Sequence, residues 1–360
     1  MPIRPNQGGV AVLKWKYLPI LKWKQGERIA LSMLTPAQRA GLIPVLELPA
    51  INSAQDERSV RSALPAYLVK PVQEMNKTFN SEQTIGIDVR WVAPNHPKPI
   101  KLLDTICAEL ARQLNCRVVP VISESALWKD AASLTGMHDF GDYILRIQTP
   151  VAQPHQVDPL IKLALASGIK RRELHIVIDL FTIVREDPAI KHAAVRPYLD
   201  DAFAAQCASV TVAGGSFPVN LMGFKQGVHD IPRVEWQVWQ LLKGSAEYSG
   251  LRFGDYTVSN PGPLPDLDPK QVNPSVQLRY TIDVDWRLYK AGGFKKGAKN
   301  QYQGLCSLLL GDPVYCGPPY SDGDDRYHKA AHAVIGNGNP SSWRRDATNH
   351  HLVFTGLALP

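Results

Sequence analysis

The stretch Tyr143–Leu180, YILRIQTPVAQPHQVDPLIKLALASGIKRRELHIVIDL, reads as strand, helix, strand. Its ends, YILRIQ (143–148) and LHIVIDL (174–180), are short β-branched runs, and Pro154–Ser167 between them is helical in pattern. A crossover of that length joins parallel strands, because antiparallel neighbours need only a tight turn. Working outward, the same rhythm recurs. Strands are expected at 17–24, 43–48, 85–91, 117–123, 209–213 and 251–258, and helices within 26–39, 60–79, 100–114, 126–134, 188–206 and 234–242. Eight parallel strands with helical crossovers fit a closed (β/α)8 TIM-like barrel, a fold that typically takes ~250 residues. An open doubly wound sheet fits less well, and no Gly-x-Gly-x-x-Gly follows the early strands to suggest a dinucleotide site.

The expected division is a barrel over residues 8–260 and a C-terminal extension over 261–360 that packs on it. Asn260–Pro274, NPGPLPDLDPKQVNP, is too rich in proline for regular structure and reads as an extended connector. Beyond it, Gln277–Tyr289 alternates like one strand, with Tyr280, Ile282, Val284 and Trp286 on one parity. Gly304–Leu310 looks helical and Gly317–Asp325 turn-rich.

Alternation along each strand sends one parity into a barrel and the other to the helices. Polar residues inside apolar strands therefore mark the interior. Glu47, Asp88, Arg90, Arg146, Gln148 and Asp179 all oppose apolar neighbours and lie near C-terminal strand ends, where barrel sites are built. Lys22 and Lys24 end the first strand, and Asp255 with Tyr256 lies on the eighth. All of these but Tyr256 are the candidate ligand-binding residues, in a mouth whose bases favour an anionic ligand such as phosphate or carboxylate. The competing interpretation is a buried ion-pair network that only fills space. The loop Gly214–Pro218, GGSFP, offers backbone N–H groups to an anion or serves simply as a turn.

Other patterns weigh less. His328 and His332 stand at i, i+4 near Asp322, Asp324 and Asp325, but lack the Glu of HExxH, so no metal is expected there. Asn349, His350 and His351 fit a packed C-terminal segment. Lys14, Trp15, Lys16, Tyr17, Lys22, Trp23 and Lys24 interleave bases with aromatics as single-stranded nucleic-acid binders do, yet a strand with its aromatics inward accounts for them. Lys295, Lys296 and Lys299 suit a solvated loop. The five cysteines form no CxxC pair, which argues against a disulfide framework and a four-thiolate zinc site.

Composition narrows the class. Hydrophobic residues make up 44% and charged residues 20% of the 360, an ordinary globular balance. Forty Lys+Arg against 33 Asp+Glu leave +7, which admits an anionic ligand or nucleic acid without demanding either. Lysines interrupt the apolar runs near the start, and no run reaches the ~18 residues of a spanning helix, so a cytoplasmic protein is expected.

YLPILKWKQGERIAL (17–31), FGDY (253–256), RYTIDVDW (279–286) and SSWRRDATNHHLVF (341–354) resemble the beta protein family, named after a product of a satellite bacteriophage. The resemblance implies a phage- or prophage-linked protein, encoded beside a growth-inhibiting protein partner in an anti-phage or toxin–antitoxin-like locus. It supplies no catalytic residue and no cofactor. Two functions compete: a defence-locus component that acts by binding, and a barrel hydrolase acting on a phosphorylated or nucleotide or nucleic-acid substrate.

Overall fold

The computed structural model describes residues 15–51, 56–263, 273–295, 297 and 299–360. Lys14, Lys296 and most of the proline-rich connector lie outside them. Strands β1 (Tyr17–Lys22), β2 (Val45–Glu47), β3 (Thr84–Asp88), β4 (Arg117–Ser123), β5 (Tyr143–Gln148), β6 (Leu174–Thr182) and β7 (Ser209–Gly215) pair in parallel in that order. β8 (Gly227–Pro232) stands apart, and β9 (Arg252–Asp255) pairs with both β7 and β1, closing the barrel. Helices α1 (Gln25–Ser32), α2 (Pro36–Arg39), α3 (Glu57–Thr78), α4 (Pro99–Gln113), α5 (Glu124–Asp130), α6 (Val157–Ala166), α7 (Pro188–Ala204) and α8 (Val234–Lys243) cover the outside. The protein is thus the expected (β/α)8 TIM-like barrel. Among the described residues no helix is long and apolar enough to cross a membrane.

Strand parity sets the layers. Ile85, Ile87, Leu145, Ile147, Ile176 and Ile178 face the helices in the large outer core. Leu18, Val45, Val119, Ile144 and Val177 fill the interior. Closure at β9 requires Gly254, where an added Cβ would come within 2.8 Å of Leu18 O and 3.0 Å of Ala213 Cβ. The floor is aromatic and basic. Trp15 lies 4.5 Å from the His175 ring, and the Arg252 guanidinium sits 4.2 Å from the centre of Trp15. Trp23 packs against Phe79 and Tyr17 against Phe253, so these aromatics belong to the core.

The C-terminal part differs from its sequence pattern in three respects. Residues 277–289 are not one strand but belong to a hairpin, β10 (Ser275–Ile282) and β11 (Asp285–Gly293). The reversal at 283–284 leaves Val284 40% exposed, and it places Tyr280 and Trp286 on opposite faces of the sheet. β11 also pairs with β8, a strand from the loop after β7 that the β/α rhythm does not announce. Beyond α9 (Gln301–Leu310), the turn-rich stretch opens α10 (Asp322–Ala331), and α11 (Pro340–Ala358) carries the chain to its last turn. The β10–β11 hairpin is covered on both faces. Val276, Leu278, Tyr280 and Tyr289 pack toward α9, α10 and Trp343, while Ile231, Trp286 and Leu288 meet Phe217 and Val258 on the barrel side.

Helix α11 binds these layers through polar groups. His351 Nε2 donates to Asp255 Oδ2 (2.8 Å), and its Nδ1 meets Thr281 Oγ1 at 2.8 Å. Asp255 also accepts from Tyr17 Oη (2.7 Å) and Thr257 N (3.0 Å), with Arg233 Nη2 3.8 Å away. His350 contacts Asp324 (2.8 Å) and Thr281 O (2.9 Å) and stacks on Tyr280. Asn349 donates to Ala30 O and accepts from Gly323 N, joining α1 to α10. Removing His351 leaves a buried carboxylate short of its partner. His351→Ala is therefore expected to cost ~3–5 kcal/mol in urea unfolding. A loss below ~1 kcal/mol would show that Tyr17 and Arg233 suffice for Asp255.

Glu235, on α8, is buried at 2% exposure. Ser216 Oγ lies 2.9 Å from Pro232 O and 2.5 Å from Glu235 Oε2, two acceptors for one hydroxyl proton. A protonated Glu235 resolves the conflict by donating to Ser216, and burial pushes its pKa up to about 7. An unfolded Glu titrates near ~4.3, so the folded state holds the extra proton between the two values, and stability falls as pH rises across that window. The stability of Glu235→Gln relative to the parent should therefore rise by on the order of 3 kcal/mol from about pH 4 to about pH 8. Denaturant titrations at both pH values measure this, and a constant difference refutes it.

Candidate functional site

The inward parity of β2, β3, β5 and β6 brings Glu47, Asp88, Arg146, Gln148 and Asp179 together at the C-terminal end of the barrel. Arg146, 1% exposed, is the centre. Its Nη1 donates to Glu47 Oε1 (2.9 Å) and Asp88 Oδ2 (2.8 Å), its Nε to Asp179 Oδ2 (2.9 Å), and its Nη2 to the hydroxyl of Tyr256. Tyr256 Oη in turn donates to Asp179 Oδ2 (2.6 Å), and Gln148 Nε2 donates to the same oxygen (3.1 Å). The other oxygen of Asp179 accepts from Phe181 N (2.9 Å), which helps hold Phe181 at φ 58°. Arg90 extends the network from just beyond β3. Its Nε donates to Asp88 Oδ2 and its backbone N to Asp88 Oδ1, both at 2.9 Å.

Burial opposes the charges of Asp88 and Arg146, and their neighbours overcome it. Burial pushes the Asp88 carboxyl up, but Arg90 and Arg146 beside it hold it below the ordinary carboxylate range. Burial drives the Tyr256 phenol well above its usual range, so it stays a neutral donor. Arg146 remains charged because Tyr256, Asp179, Glu47 and Asp88 outweigh its desolvation. Glu124, at the start of α5, is 1% exposed and is raised by burial despite Arg90. It accepts weakly from Gln148 N (3.3 Å).

Two buried polar atoms of this network have no partner, Glu47 Oε2 and Arg90 Nη2. A cavity of about 110 Å³ lies between β3 and β4, bounded by Asp88, Arg90, Ser123, Ser125 and Lys129. A guanidinium N–H without an acceptor beside a polar cavity is a place where a ligand acceptor gains a charge-assisted bond. The carboxylates surround an arginine rather than a void. Among the described residues no three His, Cys, Asp or Glu side chains are placed to hold a metal ion.

The remaining candidates are placed differently. Lys22 points toward the mouth and donates to the carbonyls of Asn260 (3.0 Å) and Gly262. Lys24 is exposed at the N-terminus of α1, outside the buried network. Asp255 does not join the mouth. It shares the outward parity of Phe253, which packs on α8, so its carboxylate serves α11, and Tyr256 is the residue of that strand end that points in. The Gly214–Pro218 loop is no anion cradle. Ser216 N is taken by Glu235 (3.1 Å), Phe217 is fully buried against Trp286, and Pro261 lies where a Cβ on Gly215 would fall. His328 and His332 are i, i+4 neighbours with His332 Nδ1 on His328 O (2.9 Å), while Asp325 pairs with Lys329 and Asp324 serves Tyr280 and His350. Lys295 and Lys299 are exposed. Glu124 escaped sequence reasoning although it directly follows strand β4, a position that the strand-end rule already singles out.

Fold and mouth together define a (β/α)8-barrel protein whose polar centre sits at the C-terminal strand ends. More particularly, the sequence matches Beta protein over residues 17–356, and the chain belongs to that family. Among solved structures, the arginine decarboxylase of Paramecium bursaria Chlorella virus is similar at 10% identity and a TM-score of 0.38, covering 77% of this chain and 84% of that one. No curated protein matches the sequence.

Asp179 meets three side-chain donors and one backbone donor, whereas Arg90 adds a second cation to an Asp88 that Arg146 already contacts. Asp179→Asn is therefore expected to destabilise the fold by ~3–5 kcal/mol and Arg90→Met by only ~1–2 kcal/mol. Chemical denaturation of both variants checks the order, and the reverse order would remove Arg146 from the centre of the network.

Proposed function

We propose that this protein is a ligand-binding component of an anti-phage defence or toxin–antitoxin-like locus in the cytoplasm. Its barrel mouth takes an anionic ligand, and a protein encoded in the same locus is the partner it restrains. Membership of the Beta protein family supports the setting. The observation that carries the binding role is the unpartnered Nη2 of Arg90, a residue that bounds a polar cavity, in a network where Glu47 Oε2 is also unpartnered. Each unpaired atom costs ~1–3 kcal/mol or more, which a ligand acceptor on Arg90 Nη2 would recover. Arg90 is the residue to test, because its loss spares the Arg146 centre. In the native locus, Arg90→Met and deletion of the gene should both abolish phage resistance, while the purified variant keeps its fold. Unchanged resistance in both strains, with unchanged host growth, would overturn the proposal.

One observation favours the hydrolase reading as an alternative. Burial raises Glu124 while Arg90 and Arg146 hold Asp88 down, and carboxyls pushed apart in this way suit acid and base roles. Turnover of a phosphate ester that Glu124→Gln removes would select it.

A further inference from the structure

The charges of the mouth are unevenly distributed. Within the buried network the three carboxylates Glu47, Asp88 and Asp179 face the cations Arg90 and Arg146, and Lys22 stands near Glu47. That set is balanced. The rim is not. Lys22, Arg279 and Arg344 converge on residues 258–262, where the chain leaves the barrel, and Lys24 stands close enough to Arg344 to feel its charge. Lys22 donates to Asn260 O and Gly262 O, Arg344 to Ser259 Oγ, and Arg279 to Val258 O. Arg344 and Arg279 repel one another, and Arg344 also repels both lysines. Among the described residues Glu27 is the one carboxylate that all four share, and its nearest approach is 4.0 Å from Arg344. Burial presses Lys22, Arg279 and Arg344 below their ordinary ranges.

Two further features add positive potential. Helix α1 begins at this rim with Lys24 as its N-cap and no side-chain acceptor on its first amides. Its positive pole therefore joins the cluster. Gly26 in that first turn packs against α11, where a Cβ would lie 2.9 Å from Ser341 O, so the backbone approach brings Arg344 to the same edge. Lys24 is exposed and Arg344 half-buried, so the cluster is open to solvent.

We propose that the rim formed by Lys22, Lys24, Arg279 and Arg344 binds the phosphate group of a phosphorylated small molecule whose remainder enters the mouth. The inference rests on the ligand-binding reading of the mouth and names the class of its ligand. With Lys22 answered by Glu47, the rim keeps three cations against Glu27, an excess that a doubly charged phosphate matches better than a singly charged carboxylate does, and Arg forks with Lys point charges suit its oxygens. The rival role is a clamp in which the cations only hold residues 258–262.

Calorimetric titration of the full chain with inorganic pyrophosphate, inorganic phosphate and acetate separates the two. Binding of pyrophosphate is expected, with no competition from acetate at equal concentration. Lys24→Met, at an exposed position that keeps the fold, and Arg344→Met should each weaken it by about tenfold or more. Lys162→Met, paired with Asp158 on the distant surface of α6, should leave it unchanged. No binding up to about 10 mM, equal binding in Lys24→Met and Arg344→Met, or equal competition by acetate would each overturn the proposal. Should Arg90→Met abolish resistance while pyrophosphate fails to bind, the mouth reading stands and the rim site falls. Should pyrophosphate bind through Lys24 while Arg90→Met retains resistance, the rim site stands and the mouth reading falls.

Discussion

A guanidinium at the axis of a closed barrel must be neutralised from several walls at once, and Arg146 meets that demand. Its acceptors come from β2, β3, β6 and the end of β9, so satisfying one side chain fixes four strand ends relative to β5. An uncompensated charge there would cost several kcal/mol, which turns electrostatic satisfaction into a geometric constraint on the ring. The apolar layers beneath set the barrel's diameter. The Arg146 layer sets its register at the mouth, and the site inherits its geometry from that.

The C-terminal part applies the same principle outside the barrel. Asp255, rejected from the interior by its parity, is matched by His351, Tyr17 and Arg233, and the helix that brings His351 also presents Arg344 to the rim. One helix thus seals the outer wall with its middle and shapes the entrance with its first turns. The extension is part of the site's construction, because two of the four rim cations, Arg279 and Arg344, come from it.

The barrel was legible because its strands are short apolar runs whose polar exceptions fall on one parity. Glu47, Asp88, Arg146 and Asp179 could be assigned to one chamber without coordinates. Asp255 joined the candidates by its place on the eighth strand alone; parity puts it outward with Phe253 and leaves Tyr256 pointing in. Helix α11 was not legible as a helix. Its buried side carries Asp346, Thr348, Asn349, His350, His351 and Thr355, so a search for apolar period finds little. β8 was hidden too, since a strand exposed along most of its length carries no apolar alternation. Partnerships among polar groups are fixed by three-dimensional complementarity, and local sequence holds only half of each pair.

The placement of β8 has a consequence for the order of synthesis. Its only strand partner among the described residues, β11, emerges after α8, β9 and the connector have been made. Likewise β1 waits for β9 before the ring can close. Both contacts span long stretches of chain, and such topologies fold slowly because loop closure is paid before contacts reward it. During that interval the nascent chain displays β8 as an open edge, with Val228 about half exposed and Met222, in the loop before it, largely exposed even in the finished fold. The vulnerable period for aggregation therefore lies on the ribosome, between completion of β7 and release of β11.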